Sequence, residues 1–176
     1  MVVGASGAGK SSLLGAGLVP ALGHPWLHLT PGTDPVKALQ IQLGSPLTAS
    51  TATQVLRTWA EDRQTNDVTI VIDQAEELFT ICTDNDGRDE FMRILSALTT
   101  ADSAGPNLVV AMGVRADYVG AFLDYPIGET ALQDHALMLG PMRRDDLREA
   151  ITAPARQVGL RLESGLEELM VNELCG

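Results

Sequence analysis

The sequence predicts an α/β fold in which helices cover both faces of a parallel β-sheet. Short apolar runs alternate along the chain with stretches of helical spacing, which is typical of βαβ units. One run, VTIVID (68–73), is apolar or β-branched until its final aspartate, as expected of a strand buried on both faces. The chain has 176 residues, 45% of them hydrophobic, which suits one domain with a real core.

The strands and helices follow from local patterns along the chain. The predicted strands are the stub MVV (1–3), WLHL (26–29), VTIVID (68–73), NLVVAMGV (107–114) and HALMLG (135–140). Helices are predicted for 10–18, ended by Pro20, and for 34–43, 51–63, 88–101 and 116–125, the last stopped before Pro126. Asp34 is the predicted N-cap and Pro35 the first residue of its helix. TDNDG (83–87) is predicted to be a polar loop.

The C-terminal part is helical and forms a second region. RRDDLREAITAPA (143–155) is predicted to be broken at Pro154, and another helix follows over 164–174. We expect a sheet domain over 1–140, with its first strand truncated, and the incomplete start of a helical lid over 141–176. Both termini look cut, so we expect weak ligand binding unless the missing residues are restored.

Composition limits the functions that the chain can have. The formal net charge is −11, so the overall basic surface of a nucleic-acid-binding protein is missing. No apolar run reaches the roughly 18 residues of a membrane span, and the N-terminus lacks the features of a signal peptide. Cys82 and Cys175 have no metal-binding spacing and indicate free or buried thiols in a reducing compartment. A cytoplasmic location is expected.

A glycine-rich loop near the N-terminus predicts a phosphate site. GASGAGKS (4–11) fits G-x-x-x-x-G-K-[ST], in which backbone amides and a helix N-terminus surround an anion. Lys10 would reach the β- and γ-phosphates, and the hydroxyl of Ser11 would bind Mg²⁺. The residues expected to contact the nucleotide are Gly4, Ala5, Ser6, Gly7, Ala8, Gly9, Lys10, Ser11 and Ser12.

Acidic residues follow the buried strand that ends at Asp73. A carboxylate at the tip of such a strand is costly without a nearby cation, so Asp73 is the predicted second Mg²⁺ residue, the alternative being an N-cap for the next helix. Glu76 or Glu77 would be the general base, with Glu76 slightly preferred. A solvated acidic pair is the alternative interpretation of these two glutamates.

Arg115 ends the next apolar run, NLVVAMGVR. A guanidinium at that strand tip can contact the γ-phosphate and distinguish ATP from ADP. The alternative is an ion pair with Asp117 or another carboxylate.

These stretches together resemble the STAND class of signalling ATPases, and more closely the bacterial novel STAND NTPases that often precede WD-repeat β-propellers. The matching segments are VVGASGAGKSSLLGAGLVPAL, TPGTDPVKAL, VIDQAEELFT, VRADYVGAFLDYP and GPMRRDDLREAITAPARQVGLRLESGL, in family order. The resemblance implies a P-loop NTPase core of strand order 5-1-4-3-2. It places Walker A at Lys10 and Ser11, Walker B at Asp73 and the first sensor at Arg115.

The resemblance also implies an ATP-driven conformational switch that uses Mg²⁺ and turns over slowly. A proline from the helical region would touch the adenine, either Pro141 or Pro154. The implied partners are an N-terminal effector domain and a C-terminal β-propeller sensor, with homo-oligomers on activation. No membrane partner is implied, and nucleic acid is not expected.

Other functions fit the sequence less well. A scaffold that holds ADP or ATP without hydrolysis and a DNA-associated AAA+ ATPase remain alternatives. A GTPase is not favoured, because neither Lys10 nor Lys37 is placed in a guanine-binding N-K-x-D motif. Four arginines of the C-terminal part are interpreted as a solvated helix face, the alternative being an arginine finger or second sensor: Arg143, Arg144, Arg148 and Arg156.

Overall fold

The computed structural model of the protein describes residues 1–100 and 105–175, without the side chain of Cys175. The end of the predicted helix at Ala101 and the thiol of Cys175 therefore lie outside the described residues. Within these residues no helix is long and apolar enough to cross a membrane.

The sheet has the predicted class and order. The strands are β1 (Val2–Gly4), β2 (Trp26–Leu29), β3 (Asp67–Ile72), β4 (Asn107–Arg115) and β5 (Leu137–Leu139). They form one five-stranded sheet in the order β2-β3-β4-β1-β5, and every neighbouring pair is parallel. Counted from the opposite edge this order is 5-1-4-3-2, so the predicted topology is confirmed.

Helices surround this sheet and continue beyond it. The first helical segment, α1, consists of Lys10–Ser12, a π-helical stretch Leu13–Leu18 and Val19–Ala21. The helices that follow are α2 (Pro35–Leu43), α3 (Ala52–Asp62), α4 (Glu77–Thr80), α5 (Asn85–Thr100), α6 (Val119–Phe122, after a 3₁₀ turn at Ala116–Tyr118), α7 (Pro126–Asp134), α8 (Arg144–Gln157) and α9 (Leu166–Cys175).

The core lies between the sheet and α2, α3 and α5. In β3 the five residues from Val68 to Ile72 are all buried, which confirms the strand covered on both faces. Helix α5 is amphipathic and buries Phe91, Ile94 and Leu95 completely. This packing holds β3 and β4 in the middle of the sheet, so the side chains at their carboxyl ends have defined positions.

Two helix ends differ from the sequence prediction. Helix α1 does not end before Pro20 but continues to Ala21: the proline, which lacks a backbone N–H, lies in the last turn, directly after the π-helical stretch in which the regular α-helical hydrogen bonding is already interrupted. Helix α5 begins at Asn85 and includes part of the predicted loop 83–87. Asp84 caps it: its Oδ1 accepts from the amide of Asp86 at 3.1 Å, and Gly87 leaves room for its carboxylate.

Two prolines were interpreted wrongly as helix breaks. The sequence analysis missed α7, whose first residue is Pro126, a residue that begins a helix as readily as it stops one. Helix α8 continues through Pro154 to Gln157 instead of breaking there. The proline is close to the C-terminal end, and the last turn is closed by Leu160, whose amide donates to the carbonyl of Ala155 at 2.9 Å.

Backbone contacts divide the chain into two compact units, Met1–Leu139 and Gly140–Gly176. In the second, the C-terminal unit, arginines of α8 pair with acidic residues of α9: Arg144 with Glu168 at 2.9 Å and Arg148 with Glu167 at 2.7 Å. Two further arginines of this unit, Arg143 and Arg156, pair with Asp146 and Glu149 of α8. That this unit begins a helical lid stays a prediction.

Candidate nucleotide site

The glycine-rich loop joins β1 to α1 at the carboxyl edge of the sheet. Gly7 and Gly9 adopt φ values of 77° and 91°, which side chains disfavour. In the part of the chain that the structure describes, the amides of Ser6, Gly7 and Gly9 donate to no protein acceptor. The loop therefore presents free N–H groups at the N-terminus of a helix, an arrangement that suits an anion.

Lys10 is buried inside this loop. Its Nζ donates to the carbonyl oxygens of Gly4 at 3.0 Å and Ala5 at 2.8 Å. Among the described residues it has no carboxylate partner within ion-pair distance. A buried ammonium compensated only by carbonyl dipoles favours an incoming negative charge. The residues present thus fit a nucleotide phosphate.

Ser11 and Asp73 meet although they are 62 positions apart in the sequence. The Ser11 hydroxyl donates to Asp73 Oδ1 at 2.9 Å, and the same oxygen accepts from the amide of Gln74 at 2.9 Å. Gln74 has a φ of 51°, so the chain turns sharply after β3. A hydroxyl and a carboxylate side by side are hard oxygen donors, and Mg²⁺ typically uses few protein ligands when phosphates supply the others. This donor pair fits Mg²⁺.

The two glutamates after Asp73 point to different partners. Glu76 is buried, and its Oε2 accepts from the backbone amide of Arg115 at 3.3 Å. Glu77 is half-buried, and its Oε2 accepts from the amide of Gly32 at 3.0 Å, in the turn that follows β2. The structure therefore separates the acidic pair: Glu76 lies beside the strand of Arg115, whereas Glu77 holds the β2 turn.

The Arg115 guanidinium binds Asp117 in this structure. Its Nη2 lies 2.7 Å from Asp117 Oδ2, its Nε lies 3.2 Å from Oδ1, and its centre is 5.2 Å from the ring centroid of Tyr118. The hydrogen bond to Asp117 is the main reason that the pKa of Arg115 is raised. The pair is solvent-exposed, and such pairs contribute little, so Arg115 can exchange Asp117 for a phosphate at small cost.

Most of the predicted site residues thus lie at one edge of the sheet. The loop 4–11, Asp73, Glu76 and Arg115 follow the neighbouring strands β1, β3 and β4, whereas Ser12 is an exposed residue of α1. The sequence analysis missed Gly113 in β4, which lies against both Asp73 and the first turns of α1. An isolated glycine inside a strand is a signal of such a close approach.

Comparison with known proteins decides the family. The sequence model described as "Novel STAND NTPase 1" matches residues 1–176. The chain belongs to the novel STAND NTPase 1 family. This novel STAND NTPase is accordingly a P-loop NTPase module, as its glycine loop and parallel sheet indicate, and the predicted family is confirmed.

Solved structures show the same fold at low identity. The Walker-type ATPase PABY2304 of Pyrococcus abyssi is 17% identical, with a TM-score of 0.56, covering 97% of this chain and 57% of its own. The ORC2 protein of Aeropyrum pernix, solved as ADPNP–ADP complexes, is 13% identical, with a TM-score of 0.58, covering 89% of this chain and 45% of its own. The chain thus spans about half the length of these structures. No curated protein matches it significantly.

Proposed function

We propose that this NTPase module binds ATP with Mg²⁺ in the loop Gly4–Ser11 and hydrolyses it slowly, as the switch of a cytoplasmic signalling protein. The observation that carries the proposal is the 2.9 Å hydrogen bond between Ser11 and Asp73. It lies next to a loop in which the buried Lys10 contacts backbone carbonyls and, among the described residues, no carboxylate. The two predicted Mg²⁺ ligands are thereby in contact with each other.

The loop residues bind and orient the triphosphate. The free amides of the loop donate to phosphate oxygens, and Lys10 exchanges the carbonyls of Gly4 and Ala5 for the β- and γ-phosphates. Ser11 and Asp73 would hold Mg²⁺, which would neutralise part of the phosphate charge. Each of these contacts becomes stronger as negative charge develops on the leaving ADP oxygen.

Glu76 is the proposed general base. Water attacks the γ-phosphorus, the bond to the ADP oxygen breaks, and the water proton passes to the carboxylate of Glu76. Glu76 suits this role because it is buried and tied to the amide of Arg115, whereas Glu77 is engaged with Gly32. Arg115 contacts the γ-phosphate when its guanidinium leaves Asp117. Glu77 remains the alternative base.

The switch itself involves the C-terminal unit and further domains. We propose that the nucleotide state controls the pose of a lid that begins in the C-terminal unit. An N-terminal effector domain and a C-terminal β-propeller sensor would complete the signalling protein, and homo-oligomers would form on activation. Pro141 and Pro154 are the candidate adenine contacts.

Lys10→Ala tests the binding site. Loss of charge-assisted hydrogen bonds worth about 1.5–3 kcal/mol predicts about 10- to 100-fold weaker ATP binding. Lys37→Ala is the matched control, because Lys37 is the only other lysine and is exposed in α2. Calorimetric titration of ATP and ADP is the measurement, and equal ATP affinity for Lys10→Ala and the wild type would show that the site is assigned wrongly.

Glu76→Gln tests hydrolysis. Removal of a general base predicts a fall in kcat of about 10²- to 10⁴-fold with ATP affinity retained, and a smaller effect for Glu77→Gln. Asp73→Asn should also raise the Mg²⁺ concentration that turnover requires. Turnover unaffected by both glutamine substitutions would remove the acidic pair from catalysis.

A scaffold that holds nucleotide without hydrolysis is the second candidate. The observation that favours it is the ion pair between Arg115 and Asp117, which has to break before the guanidinium can contact a γ-phosphate. ATP binding without turnover, also in the presence of the full-length protein and its partners, would favour this scaffold. A DNA-associated AAA+ ATPase is less favoured because the net charge is −11.

A further inference from the structure

We propose that Gly113 is a positioning residue of the cation site: the missing side chain lets the Asp73 carboxylate lie beside the Ser11 hydroxyl. The inference rests on the proposed Mg²⁺ site. Gly113 lies inside β4, two residues before Arg115, and pairs with Val2 of β1. It therefore lies between the strand that leads to the glycine loop and the strand that leads to Asp73.

A side chain at position 113 would contact Asp73 and the first turns of α1. A Cβ atom there would lie 2.9 Å from Leu14 Cδ1, 3.3 Å from Asp73 Oδ1 and 3.9 Å from Lys10 Cβ. The Leu14 contact involves the end of a flexible side chain, which can rotate away. Asp73 Oδ1 has less freedom, because it already accepts from Ser11 and from the amide of Gln74.

The backbone of Gly113 holds the same turn. Its carbonyl oxygen accepts from the amide of Ala75 at 2.9 Å, two residues beyond Asp73. Ala75 is completely buried, so this turn cannot shift freely to make room. A methyl group at position 113 would therefore displace the carboxylate oxygen that faces Ser11, by a few tenths of an ångström, instead of moving the whole turn.

Gly113→Ala is the test. Because the substitution would displace the metal-binding carboxylate, we expect the Mg²⁺ concentration that half-saturates ADP binding to rise about 10-fold. This is the lower end of the range for changes to residues that orient metal ligands. ADP affinity in EDTA should be unchanged, because the loop amides and Lys10 are untouched. Calorimetry of ADP binding at increasing MgCl₂ measures both without requiring turnover. The matched control is Gly120→Ala in α6, where a Cβ would meet nothing within 4 Å.

A second variant separates the Asp73 contact from a general packing defect. Leu14→Val combined with Gly113→Ala removes the closest clash, so the double variant should regain stability and keep the shifted Mg²⁺ dependence. Full return of the Mg²⁺ dependence in the double variant would overturn the inference, since the effect would then come from Leu14. The double variant also provides the test if Gly113→Ala alone does not fold.

Ser11→Ala and Asp73→Asn distinguish this inference from the function on which it rests. If neither changes the Mg²⁺ dependence, the proposed cation site fails. If both raise the Mg²⁺ requirement and Gly113→Ala behaves like Gly120→Ala, the cation site stands and the role of Gly113 is refuted.

Discussion

The candidate site in the unit Met1–Leu139 and the C-terminal unit keep their charged groups in opposite ways. In the unit Met1–Leu139, Lys10, Asp73 and Glu76 are buried, and each has one or two hydrogen-bond partners at fixed distances. In the C-terminal unit the charges are exposed and shared: Arg148 alone contacts Asp145, Glu167 and Glu168. Buried charges are costly unless they are matched, whereas exposed pairs are screened and contribute little. The first arrangement suits a binding site, and the second suits an adjustable surface.

The same contrast predicts the largest effect on stability. Phe91 of α5 is fully buried, so Phe91→Ala should lower the free energy of unfolding by about 3–5 kcal/mol. Leu160 in the C-terminal unit is 66% exposed, and Leu160→Ala should change the free energy of unfolding by no more than about 0.5 kcal/mol. Urea denaturation followed by far-UV circular dichroism compares the two variants. Similar losses for both would mean that the C-terminal unit has a tighter core than its exposure indicates.

The sequence predicted the central strands because their patterns do not depend on distant contacts. VTIVID is buried on both faces wherever a parallel sheet places it, and Asp73 then lies at its carboxyl edge. The glycine loop was likewise predictable from the spacing of its glycines, lysine and serine. That Asp73 and Arg115 lie at neighbouring strand ends followed from the strand order that the family resemblance implied.

Contacts between distant residues were not predictable in this way. The bonds of Glu77 to Gly32 and of Glu76 to the Arg115 amide join residues 45 and 39 positions apart. The close approach of Gly113 to Asp73 likewise depends on how β3, β4 and α1 pack. The helix breaks predicted at Pro126 and Pro154 were wrong for a related reason. A helix can begin at a proline or continue through one near its end, and the surrounding structure determines whether it does.

Glu77 should have a measurable structural role in the core unit. Glu77→Ala removes the acceptor for the amide of Gly32 and should lower the free energy of unfolding by about 1–2 kcal/mol. Glu77→Gln keeps an acceptor oxygen and should stay close to the wild type. Urea denaturation of both variants checks this, and equal stability of the two would show that the contact with Gly32 contributes nothing.

The N-cap of α2 should have a smaller effect. Asp34 Oδ1 accepts from the amide of Lys37 at 2.9 Å, so Asp34→Ala should lower the free energy of unfolding by about 1 kcal/mol. Asp34→Asn retains a capping oxygen and is the control. Thermal and urea denaturation should rank the wild type and Asp34→Asn above Asp34→Ala, and the reverse order would remove Asp34 as the cap.

The smallest effect concerns the exposed ion pairs of the C-terminal unit. Hydrogen bonds from Arg144 and then Arg148 lower the pKa of Glu168. A carboxylate whose folded pKa is lowered stabilises the fold above its ordinary pKa, and that contribution is lost as the pH falls through the lowered value. The pairing of α8 with α9 should therefore be complete at pH 7 and weaken below about pH 4.5, the ordinary value for glutamate.

Titration of the Glu168 side-chain carboxyl by NMR in the whole chain measures this directly. Arg144→Ala should move its pKa upward towards the ordinary value, and so should 0.5 M NaCl, through screening over about 10 Å or less. Arg143→Ala is the control, because Arg143 pairs with Asp146 instead. If Glu168 titrates at its ordinary value in the wild type, the ion pairs between α8 and α9 are not populated in solution. The stability of the C-terminal unit would then depend on its apolar residues, of which Val171 is fully buried.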